Sequence, residues 1–124
     1  MTTKSTRKIG GEGEELAAAF LESKGYTILD RNYFFERAEV DIVAFDGSKI
    51  VFVEVKRRSN TNYGHPEDAV TEEKMHQIYK AAEAWIYERK MDGSPVRFDV
   101  ISILQKEKES PRIKHFEDTF RKKR

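Results

Sequence analysis

The chain has no cysteine, and only three prolines and one tryptophan among its 124 residues. Without thiols it can form neither disulfides nor thiolate metal sites. It contains no run of about eighteen apolar residues, so no segment is expected to span a membrane. The opening Met-Thr-Thr-Lys-Ser-Thr-Arg-Lys lacks the apolar core of a signal peptide. A cytoplasmic protein is the expectation from these absences. The three histidines, His65, His76 and His115, fall in separate segments without zinc-ligand spacing. Neither a nucleophile elbow nor an internal repeat is visible. Gly10-Gly11-Glu12-Gly13 has no preceding strand, which a dinucleotide loop requires.

A large excess of one charge is also missing, since the net charge is +1. The balance hides an uneven distribution. Residues 1–8 carry three basic residues and no acid, and residues 121–124 are Arg-Lys-Lys-Arg. Setting those seven cations aside leaves residues 9–120 at −6. The length predicts one domain over residues 9–120, with disordered basic tails at 1–8 and 121–124. Its bulk charge does not make that domain a nucleic-acid binder. A polyanion would need a local basic patch, the tails or a metal.

Periodicity predicts a helix over residues 10–24, with Leu16, Ala17, Phe20 and Leu21 as its inward stripe and Gly25 ending it. Glu14 lies on or beside that stripe, whereas Glu12, Glu15 and Glu22 face solvent. An acid in a first turn suits the helix dipole whatever else it does. A strand follows over residues 26–35, with a bend or bulge at Asp30-Arg31-Asn32; the Tyr33-Phe34-Phe35 run packs or lines a groove, packing being the favoured reading. A second helix starts between residues 68 and 71 and ends near residue 90. Met75, Ile78, Tyr79, Ala82, Trp85 and Ile86 form its buried stripe, and Lys74 and Gln77 its edge. Another strand spans residues 96–104, where Arg97 and Asp99 share a face as a structural pair. A short element over residues 113–120 docks through Phe116 and Phe120.

Between these lie residues 38–58, two apolar strands joined by a tight turn at Asp46-Gly47-Ser48. Side chains two apart on a strand share a face, which groups Glu39 with Asp41, and Glu54 with Lys56. Val51, Val53 and Val55 face the other way as a core wall. Carboxylates among Val, Ile and Phe need a partner or a metal. Asp41 and Glu54 could hold a divalent cation, with Lys56 orienting a water or neutralising a phosphate. An ordinary ion pair between Glu54 and Lys56 fits the spacing equally well. The polar loop that follows, residues 57–68, begins with Arg57 and Arg58, cations placed for a phosphodiester or for neighbouring acids.

An acid in the first helix, an acid on one hairpin strand and Glu54-Val55-Lys56 on the next resemble the PD-(D/E)XK nuclease superfamily. A closer resemblance is to the YraN-type family of small bacterial proteins, similar in fold to archaeal Holliday-junction resolvases. It rests on Gly10 with Glu14, Asn32, Glu39-Val40-Asp41, Phe52-Val53-Glu54-Val55-Lys56 with Arg58, Tyr63-Gly64, Lys74, and Arg97-Phe98-Asp99-Val100. Ala38 is the one departure, standing where the family usually has glycine. The resemblance implies a restriction endonuclease-like α/β/α core around a central mixed sheet, in the order α-β-β-β-α-β. It implies an endonuclease acting on DNA, branched or structured DNA included. Asp41 and Glu54 would then bind Mg²⁺ or Mn²⁺, with Glu14 completing the set and Glu39 as a supporting or alternative ligand. Lys56 would position the attacking water, and Arg57, Arg58 and Lys74 would contact phosphates. A homodimer is compatible with recognising DNA by shape. The alternatives are an idle nucleic-acid-binding module and an interaction protein whose acids form a salt-bridge cluster.

Overall fold

A computed structural model describes residues 8–59 and 71–119. The basic tails, apart from Lys8, lie outside the described residues, as do Tyr63, Gly64, His65, Phe120 and most of the loop after the hairpin. The elements are α1 (Lys8–Ser23), β1 (Thr27–Phe35), β2 (Ala38–Phe45), β3 (Ile50–Arg58), α2 (Glu72–Glu88), β4 (Val96–Leu104) and β5 (Arg112–Phe116). The five strands form one sheet in sequence order, antiparallel except for the β3–β4 pair. Parallel neighbours need a crossover, and α2 lies in it.

The helices cover opposite faces. Ile50 and Phe52 point to α2, where Ile78, Ala81, Ala82 and Trp85 meet them with Val40, Val43 and Val100. Val51 and Val53 point the other way, to Ala17, Ala18 and Leu21 of α1. The expected α/β/α layering and mixed central sheet are therefore present. The last element is more than a docking face: residues 112–116 are a fifth, edge strand on β4. Helix α2 starts at Glu72 because the Thr71 hydroxyl accepts a hydrogen bond from the Lys74 amide, an N-cap.

Two local features set the ends of the hairpin. At one end Asp46 Oδ1 accepts hydrogen bonds from the Ser48 and Lys49 amides, and Gly47 takes the positive φ of 104°. Beside that turn, Arg97 forms a fork to both oxygens of Asp99 and also reaches Asp46 and Tyr26. Asp99 is fully buried and is held additionally by His115 and the Asp118 amide. Burial alone would raise the Asp99 pKa, but the bonds from His115, Arg97 and the amide outweigh it and keep the carboxyl below its ordinary value.

At the other end the strands lose their regular alternation. Val40 packs on the α2 side, yet Ile42, two residues on, packs on the α1 side. The slip falls at Asp41. Opposite it in β1, Asn32 has φ 53°, and an earlier register shift separates Ile28 from Asp30. The predicted bulge is thus present, and it is this end that carries the acids.

Removing one member of a buried ion pair strands the other, at a cost of about 3–5 kcal/mol. Asp99→Ala is expected to lose stability on that scale in urea unfolding. Breaking the exposed Lys80–Glu36 pair (3.4 Å) by Glu36→Ala should cost less than about 1 kcal/mol.

Candidate functional site

β2 and β3 pair only from Ile42↔Val53 toward the turn. Beyond that point Asp41 leaves the ladder. Its Oδ2 accepts a hydrogen bond from the Val55 amide (2.7 Å), so a side chain stands where a backbone partner would. This anchors the carboxylate between the separating strands. Helix α1 brings Glu14 over the same spot, and Glu39 reaches it from the start of β2. One oxygen from each of Glu14, Glu39 and Asp41 lies within 4.8 Å of the others, and all three residues are half-buried.

Asn32 ties two of them together. Its Nδ2 donates to Glu14 Oε1 (2.7 Å) and to Glu39 Oε2 (2.8 Å). Only the amide nitrogen can face two acceptors, which fixes the orientation of the group. The left-handed backbone at Asn32 aims it there, and Asn tolerates that conformation better than most residues. The sequence marked Asn32 as part of an interruption and of the family resemblance, with no role attached. Its signal was an amide in a broken strand, with acids at offsets too distant to associate with it.

Glu54 and the two lysines form the neighbouring group. Glu54 is buried on the α2 side of β3 and is not one of the three clustered acids. Its Oε2 receives Lys74 Nζ at 2.6 Å and Lys56 Nζ at 3.2 Å. Burial disfavours the Lys74 ammonium, but the bond to Glu54 outweighs it and raises the pKa above that of ordinary lysine. Lys74 thus reaches Glu54 from the edge of α2. Arg57 lies on the α1 side, its side chain against Gly13 and its guanidinium 3.1 Å from Glu12; a Cβ at Gly13 would come within 3.4 Å of it. Arg58 donates to the Arg57 carbonyl. His76 is exposed, as expected.

Burial pushes the Asp41 carboxyl up to about 8. Glu54 is the strongest of its negative neighbours, Glu39 and Glu14 add to the repulsion, and the Val55 amide opposes them. Three converging carboxylates, one of them holding its proton to such a pH, lack positive charge. An all-oxygen set of this kind suits a hard divalent cation such as Mg²⁺ or Mn²⁺.

The sequence model of uncharacterised protein family UPF0102 matches residues 13–103, nearly the whole stretch from Glu14 to the end of β4. The chain belongs to that family. It is 49% identical over 112 residues to the UPF0102 protein of Geobacter sulfurreducens, covering 90% of this chain and 88% of the relative. With the UPF0102 protein of Geotalea daltonii it shares 46% over 114 residues, 92% and 90% of the two chains. A UPF0102 protein of Renibacterium salmoninarum is 40% identical over 108 residues, 87% and 92%. The UPF0102 match takes in Glu14, Glu39, Asp41, Glu54, Lys56 and Lys74. Among the described residues, no helix is long and apolar enough to cross a membrane.

Asp41 also makes stability depend on pH in an unusual direction for an aspartate. Folded, it keeps a proton that the unfolded chain releases near pH 4. Its contribution is therefore most favourable below pH 4, declines as pH rises, and levels off above about 8. Asp41→Asn retains an acceptor for the Val55 amide and has no proton to lose. Without metal, the variant should melt above wild type at pH 9, by roughly 4 °C or more. The gap should close toward pH 4. Thermal melts in EDTA across that range check it; an equal gap at both ends would contradict it.

Proposed function

We propose that this UPF0102 protein is a metal-dependent endonuclease-like phosphodiesterase acting on DNA, branched or structured DNA included. The observation that supports it most is the convergence of Glu14, Glu39 and Asp41 beside a buried Glu54 flanked by Lys56 and Lys74. The order of these groups along the chain adds the resemblance to the PD-(D/E)XK nucleases. Glu14, Glu39 and Asp41 would hold Mg²⁺ or Mn²⁺. The ion, when bound, would polarise the scissile phosphate and lower the pKa of an attacking water.

The remaining work falls to side chains. Asn32 keeps Glu14 and Glu39 together against their mutual repulsion. Glu54 holds Lys56 and Lys74 by one oxygen, so both ammonium groups are aimed before a substrate arrives. Lys56 orients the water and Lys74 takes a phosphate oxygen. The negative charge of Glu54 is also felt at Asp41, so a cation bound by the three acids would be attracted by it too. Arg57 and Arg58 extend the phosphate contacts, which give affinity without sequence preference. A homodimer would present two such sites to two strands, and DNA as substrate puts the protein in the cytoplasm.

One observation favours a second reading, an interaction protein with a structural salt-bridge cluster: Glu54 is already paired with two lysines. The two readings differ in Mn²⁺ dependence. Purified protein should nick branched DNA in Mn²⁺, with Asp41→Ala and Glu14→Ala each at least about 100-fold slower and Lys56→Ala slowed by a similar factor. Binding in Ca²⁺ should survive Lys56→Ala. Absence of both cleavage and metal-dependent binding would support the structural reading instead.

A further inference from the structure

Tyr33, Phe34 and Phe35 do not behave alike. Tyr33 and Phe35 turn to the α2 side and pack against that core. Phe34 turns to the α1 side and is 61% exposed. A ring so exposed gains little from folding, and among the described residues β1 is an edge strand with no further strand beyond it. Its position is informative. Phe34 pairs directly with Glu39 in the β1–β2 ladder. Side chains paired in this way share a face, with Cβ atoms about 4.5–5.5 Å apart. The ring therefore stands one side chain away from the carboxylates of Glu39, Glu14 and Asp41.

Carboxylates with a cation engage the phosphate, and an aromatic face can hold the base beside it by stacking. A phosphodiester at the carboxylates has a nucleoside on either side, within about one nucleotide step of the ring. In intact duplex both faces of each base are covered by neighbours. An unpaired nucleotide presents a free face, and stacking on an aromatic side chain is how proteins hold single strands without reading sequence. Stacking also requires the base to leave the helix, which costs least where pairing is already lost.

We propose that Phe34 stacks on an unpaired base next to the phosphate held at the carboxylates. The substrate class is then DNA with unpaired nucleotides at the point of attack, such as a fork, flap or frayed end, in preference to continuous duplex. This rests on the reading of the acid cluster as a phosphodiester site. It assigns Phe34 a role in choosing the substrate and none in the hydrolysis itself.

The test measures binding in Ca²⁺ of a fluorescent forked DNA and a blunt duplex of the same sequence. The proteins are wild type, Phe34→Ala and Phe34→Trp. Wild type should prefer the fork. Phe34→Ala should weaken fork binding about tenfold, the loss of one stacked base, and change duplex binding less than about twofold. Phe34→Trp should restore the preference. Fork binding unaffected by Phe34→Ala, or fork and duplex weakened equally, overturns the stacking role while leaving the phosphodiester site standing. Wild type that binds neither DNA overturns both.

Discussion

Like charges do not gather unless something holds them, and in this protein the holding is done by a break in strand alternation. Had β2 continued as a regular strand, Asp41 would lie on the face opposite Ile42. The slip at Asp41, with Asn32 in a left-handed conformation across from it, sends Val40 to one core and Ile42 to the other. Asp41 is released from the ladder and caught by the Val55 amide. Glu14 and Glu39 then share one amide donor. Each hydrogen bond stabilises by only about 1 kcal/mol net, so the repulsion is offset by the packing of the two cores more than by the bonds themselves.

The sheet divides its charged groups between its two ends. Near the Asp46 turn, Arg97, Asp99, His115 and Asp46 are mutually satisfied, and Asp99 is fully buried. That end resembles a fastening: hydrogen bonds and ion pairs join the turn after β2 to β4 and β5. At the opposite end the acids outnumber their partners, and Asp41 is driven to hold a proton up to about pH 8. A structure that satisfies one cluster and leaves the other short of cations places its unspent electrostatic strain where the strands separate. Strain of that kind is characteristic of binding and catalytic sites.

Much of this was legible from residue pattern. The hairpin with its Asp46-Gly47 turn, the inward edge position of Glu14, the Lys74 edge and the Arg97–Asp99 pair all follow from periods of two and 3.6. Elements set by local propensity were readable to within a few residues. What escaped depends on contacts distant in sequence. The face-sharing rule placed Glu39 beside Asp41 correctly, but its equivalent for Val40 and Ile42 fails because the strand slips between them. The bridging role of Asn32 requires knowing that α1 crosses β1 and β2. His115 looked isolated until the pairing of β5 with β4 set it against Asp99. The middle residue of the Tyr33-Phe34-Phe35 run was expected to pack, and the run's alternation exposes it instead.

The proposed site requires that the carboxylates take up one divalent cation. Calorimetric titration of Mn²⁺ into the protein at pH 7, in buffers of different ionisation enthalpy, tests it directly. Since Asp41 must give up its proton to act as a ligand, wild type should bind about one ion with release of close to one proton, and Asp41→Asn should bind far more weakly without that release. Equal Mn²⁺ binding by the two proteins, or none by wild type, would contradict it.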